Sequence, residues 1–150
     1  PLVYLAERAL ALRRSVRLVL GADTASQLYP ARLLPEGVEL VVATEDGTAG
    51  ERGLVTELLP RFAQGAEQIF ACGPLAMYRA MAQVSELEDK PVQVLLEQVL
   101  GCGIGACYGC RIRTRQGMKF VCKDGPVFEL RDIIWEEIKE PVSTREAYLW

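Results

Sequence analysis

Cys102, Cys107, Cys110 and Cys122 stand in the pattern C-x4-C-x2-C-x11-C, and residues 101–110, GCGIGACYGC, are four glycines and three cysteines in ten. Thiols this close on so yielding a backbone suit a metal centre, and this spacing with a distant fourth cysteine is one that holds a [2Fe–2S] cluster. Gly103, Gly105 and Gly109 permit positive φ, so backbone N–H groups can turn toward sulfur with no side chain in the way. Cys122 is remote in sequence, but RIRTRQGMKFVC reads as a β-hairpin turning near Gln116-Gly117, which would return it opposite residues 111–112 and beside Cys110. A three-residue loop would put Ile112, Thr114, Phe120 and Cys122 on one face and Arg113, Arg115, Lys119 and Val121 on the other. A four-cysteine zinc module is the alternative, although structural zinc sites usually show two short pairs and this chain has one.

The rest of the composition narrows the chemistry. There are five cysteines and no histidine, so His-dependent nucleophiles, His-ligated zinc and Rieske centres are excluded. An odd cysteine count without secretory features argues for a reducing, cytoplasmic setting over a disulfide framework. The 150 residues carry a net charge of −3, with 9 basic and 12 acidic groups in residues 1–90 and 8 of each in 91–150. An acidic chain without a basic tract is a poor nucleic-acid binder, and no apolar run approaches the ~20 residues that span a bilayer. Arg111, Arg113, Arg115, Lys119 and Lys123 crowd the cysteines in sequence. They could tune a cluster or meet an acidic partner, or simply form the solvated face of a hairpin.

The elements that must position these residues differ between the halves. In residues 1–83, PLVYLAERALALRR is a helix with Leu2, Leu5, Ala9 and Leu12 on its apolar face. VRLVLG is a buried strand stopped by glycine, and ASQLYPARLL is a short helix interrupted at Pro30. Val38–Thr44 is a second strand, GLVTELLPRF a helix, EQIFACGP a third strand and LAMYRAMAQV a further helix. Alternation of this kind predicts a doubly wound, parallel α/β sheet. SELEDKP is the linker, giving domains 1–90 and 91–150. The second is small and β-rich, with VQVLLE as a strand and helical periodicity only over Phe128–Ile138. Ile134, Trp135 and Ile138 would pack in its core.

CGIGACYGC followed by VCKDGPVF resembles the C-terminal cluster domain of the electron-transfer subunits of NAD-dependent, heteromeric dihydroorotate dehydrogenases. Residues 1–83 resemble the NAD-binding domain of the ferredoxin reductase superfamily, to which those subunits belong. The resemblance implies a ferredoxin-reductase-like NAD-binding sheet and a [2Fe–2S] domain ligated by Cys102, Cys107, Cys110 and Cys122. Its cofactors would be NAD, FAD and the cluster, and its partner an FMN-containing dihydroorotate dehydrogenase subunit, in a heterotetramer serving pyrimidine biosynthesis. Cys72-Gly73-Pro74 is similar to the superfamily's Cys-Gly-Pro element beside the nicotinamide, although Cys72 alone could be a small buried hydrophobe. Asp23, Glu45 and Asp46, following strands, are candidates for the dinucleotide ribose, and the lack of an arginine pair after Gly21 favours NAD over NADP. A reductase subunit for a hydrogenase, a ferredoxin:NADP system or an oxygenase is the alternative. The resemblance places an FAD-binding barrel, a first strand and a Gly-rich turn ahead of PLVYLAER. These residues are therefore expected to be an inactive fragment whose nucleotide half is either rearranged or completed by another copy.

Overall fold

The computed structural model describes residues 1–138, a mixed α/β chain with small sheets that forms two compact units, Pro1–Gln64 and a second that begins at Gly65. The sequence places its boundary at residue 90. In the structure, however, residues 65–90 pack with the cysteine-bearing half, because a strand before that linker pairs with one after it.

In the first unit, helix α1 (Leu2–Ala11) precedes strand β1 (Val16–Ala22), which pairs in parallel with β2 (Val38–Thr44) over its full length, from Val16 opposite Val38 to Ala22 opposite Thr44. The two-residue strand β3 (Glu51–Arg52) extends this sheet to the order β1-β2-β3. The α1 face closes on Ala6, and Leu12 lies past the helix end, 70% exposed. Around Pro30 there are two 3-10 turns, Ala25–Gln27 and Ala31–Leu33, in place of one helix, since the ring removes a donor and pushes its predecessor toward extended backbone. Gly21 does not stop β1. It lets helix α2 (Val55–Ala63) approach the strand: a Cβ there would lie 2.4 Å from Val55 Cγ1.

In the second unit, β4 (Ile69–Ala71) leads into helix α3 (Leu75–Met81) and pairs in parallel with β5 (Val92–Leu95), which is antiparallel to β8 (Val127–Glu129) on its other side. Strands β6 (Arg111–Thr114) and β7 (Gly117–Phe120) form a separate hairpin, followed at once by the single helical turn α4 (Val121–Asp124). The core is built on Tyr78, Val92 and Val94, each no more than 1% exposed. The β1 and β4 ladders belong to separate sheets.

Phe128–Ile138 is not a helix. Its first residues complete β8, and only Trp135–Glu137 makes a 3-10 turn. Trp135 and Ile138 are nonetheless buried, the indole N–H donating to Leu130 O at 2.9 Å and the ring lying 5.7 Å from that of Tyr78. Tyr148 and Trp150 lie outside the described residues.

Candidate metal centre

The hairpin delivers Cys122 to Cys110, though in a different register from the expected one. Arg111 opposes Phe120 and Thr114 opposes Gly117, so the loop is the two residues Arg115-Gln116. Gly117, at φ +109, starts the return strand, and Thr114 Oγ1 donates to its carbonyl at 2.8 Å while accepting from the Gln116 N–H at 3.3 Å. This one-residue slip exchanges faces on β7. Ile112 and Thr114 stay buried as expected, but Phe120 stands opposite Arg111 and Val121 is buried. Cys122 is therefore in α4, not on the strand. The turn begins where Val121 N–H donates to Cys110 O at 3.0 Å, and Asp124, its last residue, accepts from Phe120 N–H at 2.7 Å.

Cys102 and Cys107 lie in the loop, and Cys122 follows Val121, whose N–H donates to Cys110 O. The loop turns its amides onto Cys102 Sγ: Ala106 N–H lies 3.3 Å away and Cys107 N–H 3.4 Å. These donors, with the Ile104 N–H the largest contributor, hold the Cys102 pKa down at about 6. Cys122 titrates above the ordinary thiol value, chiefly through its hydrogen bond with Cys110 and then through desolvation. Among the described residues no three Cys, Asp or Glu side chains converge on a single ion. Four free thiols, with backbone amides turned onto Cys102 Sγ, are a donor set that fits a [2Fe–2S] cluster.

Backbone geometry shows how the loop is made. Gly103 and Gly105 take φ +69 and +78 as expected, but Gly109 does not; the third left-handed residue is Tyr108, at φ +62. Its ring meets Phe120 edge-on at 5.1 Å, which ties the loop to β7. At Gly109 a Cβ would stand in ordinary contact, 3.5 Å from Cys107 Sγ, so this position does not need glycine for space. Cys110 is buried while Cys107 is exposed, so the centre reaches the surface on the Cys107 side. Ile104, Tyr108, Val99 and Leu100 are all more than half exposed nearby in the chain. Of the five basic residues, Arg115 is committed to structure, its Nε donating to Arg131 O at 2.7 Å.

The candidate nucleotide residues form two groups. Asp23 follows β1, and Glu45 and Asp46 follow β2. Glu45 N–H donates to Ala22 O and Asp46 N–H to Asp23 O, so all three acids gather at the carboxyl end of one parallel pair. Asp46 is partly occupied: its Oδ1 accepts from Thr48 Oγ1 at 2.6 Å and Thr48 N–H at 2.9 Å. The hydroxyl first and the amide second hold its pKa below the usual carboxylate value. In the second unit Cys72-Gly73-Pro74 make the turn from β4 to α3, with Cys72 half-buried and Pro74 preceding the first helical residue. Two contributors escape a motif search. Asp124 reads as a loop acid until its carboxylate is seen to accept from Phe120 N–H, and Tyr78 looks like one more core aromatic.

Residues 97–134 match the family described as the iron-sulfur cluster binding domain of dihydroorotate dehydrogenase B. The chain is 34% identical over 139 residues to the electron transfer subunits of dihydroorotate dehydrogenase B (NAD(+)) of Bacillus cereus strain B4264 and Bacillus anthracis strain CDC 684 / NRRL 3495. Each match takes in 89% of this chain and 53% of the relative, so the chain spans about half the length of those curated relatives. A solved structure of an NADH-dependent reduced ferredoxin-NADP oxidoreductase, studied for flavin-based electron bifurcation, superposes with a TM-score of 0.79 at 27% identity, covering 91% of this chain and 50% of that one. Among the described residues no helix is long and apolar enough to cross a membrane.

Proposed function

We propose that this chain belongs to the electron-transfer subunit of an NAD-dependent dihydroorotate dehydrogenase, passing electrons through a [2Fe–2S] cluster between NADH/FAD and a partner FMN subunit that interconverts dihydroorotate and orotate in pyrimidine biosynthesis. The observation that carries this reading is the four-cysteine donor set lying within residues 97–134, the segment that matches the dihydroorotate dehydrogenase B cluster domain. Such a cluster, when bound, stores and releases single electrons.

The chain's own residues prepare that role. Cys102 and Cys107 would hold one iron, and Cys110 and Cys122 the other. The amides of Ile104, Ala106 and Cys107 donate to Cys102 sulfur, favouring the thiolate that a metal requires. The exposed side at Cys107, flanked by exposed Ile104 and Tyr108, suits contact with a partner protein. The turn Cys72-Gly73-Pro74 would face the nicotinamide, and Asp23, Glu45 and Asp46, at the carboxyl end of β1 and β2, would meet a ribose, as ligands of open parallel sheets do. In this reading the parallel pairs β1-β2 and β4-β5 are elements of a doubly wound NAD-binding fold, the assembly is a heterotetramer with the FMN subunit, and five reduced cysteines suit the cytoplasm.

The test is anaerobic purification of the complete gene product together with the dehydrogenase subunit encoded in the same organism. Expected are about two irons per chain, visible iron–sulfur absorbance that bleaches with NADH, and a stable complex that reduces NAD with dihydroorotate. A colourless, zinc-loaded protein would overturn the cluster. A red protein that bleaches with NADH yet binds no such subunit would move the assignment to another reductase system.

A further inference from the structure

We infer that Tyr78 is a positioning residue that locks the Cys72-Gly73-Pro74 turn to the strand feeding the cluster loop, an inference that rests on the nicotinamide reading of that turn. Tyr78 is 1% exposed, and its hydroxyl has two main-chain partners. It accepts from the Gly73 N–H at 2.9 Å and donates to Leu95 O at 2.7 Å. Burial is the largest of the influences that push its pKa up to about 12, so the phenol keeps its proton and fills both roles at any working pH.

The two ends of this link are not arbitrary stretches of backbone. Gly73 sits between Cys72 and Pro74 at the carboxyl end of β4, where a bound ring would lie. Leu95 is the last residue of β5, six positions before Gly101 opens the cysteine loop. The next residue, Leu96, is buried and its N–H donates to Pro126 O at 2.9 Å, just beyond the α4 turn that carries Cys122. One hydroxyl thus fixes the turn at the end of β4 against the same backbone that anchors both ends of the cluster segment. The turn is also held from the helix side, where Met77 N–H donates to Pro74 O at 3.0 Å and the Met77 side chain lies close over Gly73, and the Tyr78 hydroxyl joins it to β5. The Tyr78 ring itself packs on Trp135, a contact that does not involve the hydroxyl.

Tyr78→Phe, made in the complete gene product, removes the hydroxyl and keeps the ring. Expected are unchanged iron content and cluster EPR, an unchanged rate of reduction by dithionite, and a fall of about five- to tenfold in the rate of reduction by NADH. Gly73 amide exchange, measured by mass spectrometry or NMR, should accelerate by at least about tenfold in the variant. Trp135→Phe is the packing control. It loosens the ring's neighbour while sparing the hydroxyl, and should leave the ratio of NADH to dithionite rates near that of the parent. Equal losses with both reductants, an unchanged NADH rate in Tyr78→Phe, or the same selective loss in Trp135→Phe would overturn the inference. Should Tyr78→Phe not yield folded protein, rapid exchange of the Gly73 amide in the parent would overturn it and strong protection would support it. A parent protein that takes up its cluster but is never reduced by NADH would instead bring down the nicotinamide reading itself.

Discussion

Thr114→Val tests whether the hairpin, and not the cysteines alone, retains the metal. Thr114 is 4% exposed, and valine has nearly its shape, so packing is preserved and only the hydroxyl is lost. That hydroxyl donates to Gly117 O at 2.8 Å and accepts from Gln116 N–H at 3.3 Å, closing the two-residue loop whose register brings Cys122 beside Cys110. Gln116 and Gly117 are exposed and can rebind water, so the cost lies in the lower part of the range for two hydrogen bonds, about 1.5 kcal/mol. If iron leaves when the hairpin opens and Cys122 separates from Cys110, that loosening raises the opening equilibrium about tenfold. The assay is the rate of bleaching of visible absorbance under excess chelator, on parent and variant proteins carrying equal iron. A variant that releases iron within about twofold of the parent rate would show that hairpin closure does not gate the metal, and the reasoning would fail.

Two further outcomes follow from the same geometry. In the metal-free chain, Cys102 should be alkylated by iodoacetamide faster than Cys122 at neutral pH. Its lowered pKa leaves it thiolate above about 6, whereas Cys122, raised above the usual thiol value, remains protonated there; peptide mapping that finds equal or reversed rates would contradict the amide cradle. Val94→Ala, at a side chain with no exposure in the central strand of the β4-β5-β8 sheet, should cost about 2–3 kcal/mol in urea unfolding followed on the second unit. A loss below about 1 kcal/mol would mean that this core is not close-packed around β5.

What was legible in the sequence was local. Cysteine spacing nominated the donor set, because ligand chemistry depends on residue type and on a loop short enough to be read directly. The parallel pair β1-β2 was equally legible, since short Val- and Leu-rich runs between helical segments have few other uses, whereas β4-β5 was not, because the SELEDKP linker between them reads as a domain boundary. The hairpin was expected, but its register was not. The polarity of Arg113, Lys119 and Phe120 suggested a three-residue loop, and the hydrogen bonds of Thr114 with Gln116 and Gly117 closed a two-residue one. Helical spacing over Phe128–Ile138 was misleading for a similar reason. Phe128 is claimed by the ladder with Val94, and Trp135 and Ile138 are buried by contacts that no period predicts.

The sequence by itself determined the chemistry this protein can offer: four thiols, no histidine, glycines where the chain must pass close to sulfur, and acids after its strands. Only the tertiary structure decided how those groups combine. It moved Cys122 off the strand and into a helical turn whose last residue, Asp124, accepts from Phe120 N–H, and assigned Tyr78 two main-chain partners seventeen residues or fewer away in sequence but in different elements. The physical reason is that a residue's type is local, whereas its hydrogen-bond partners are set by which strands and turns the whole core brings within 3 Å of it.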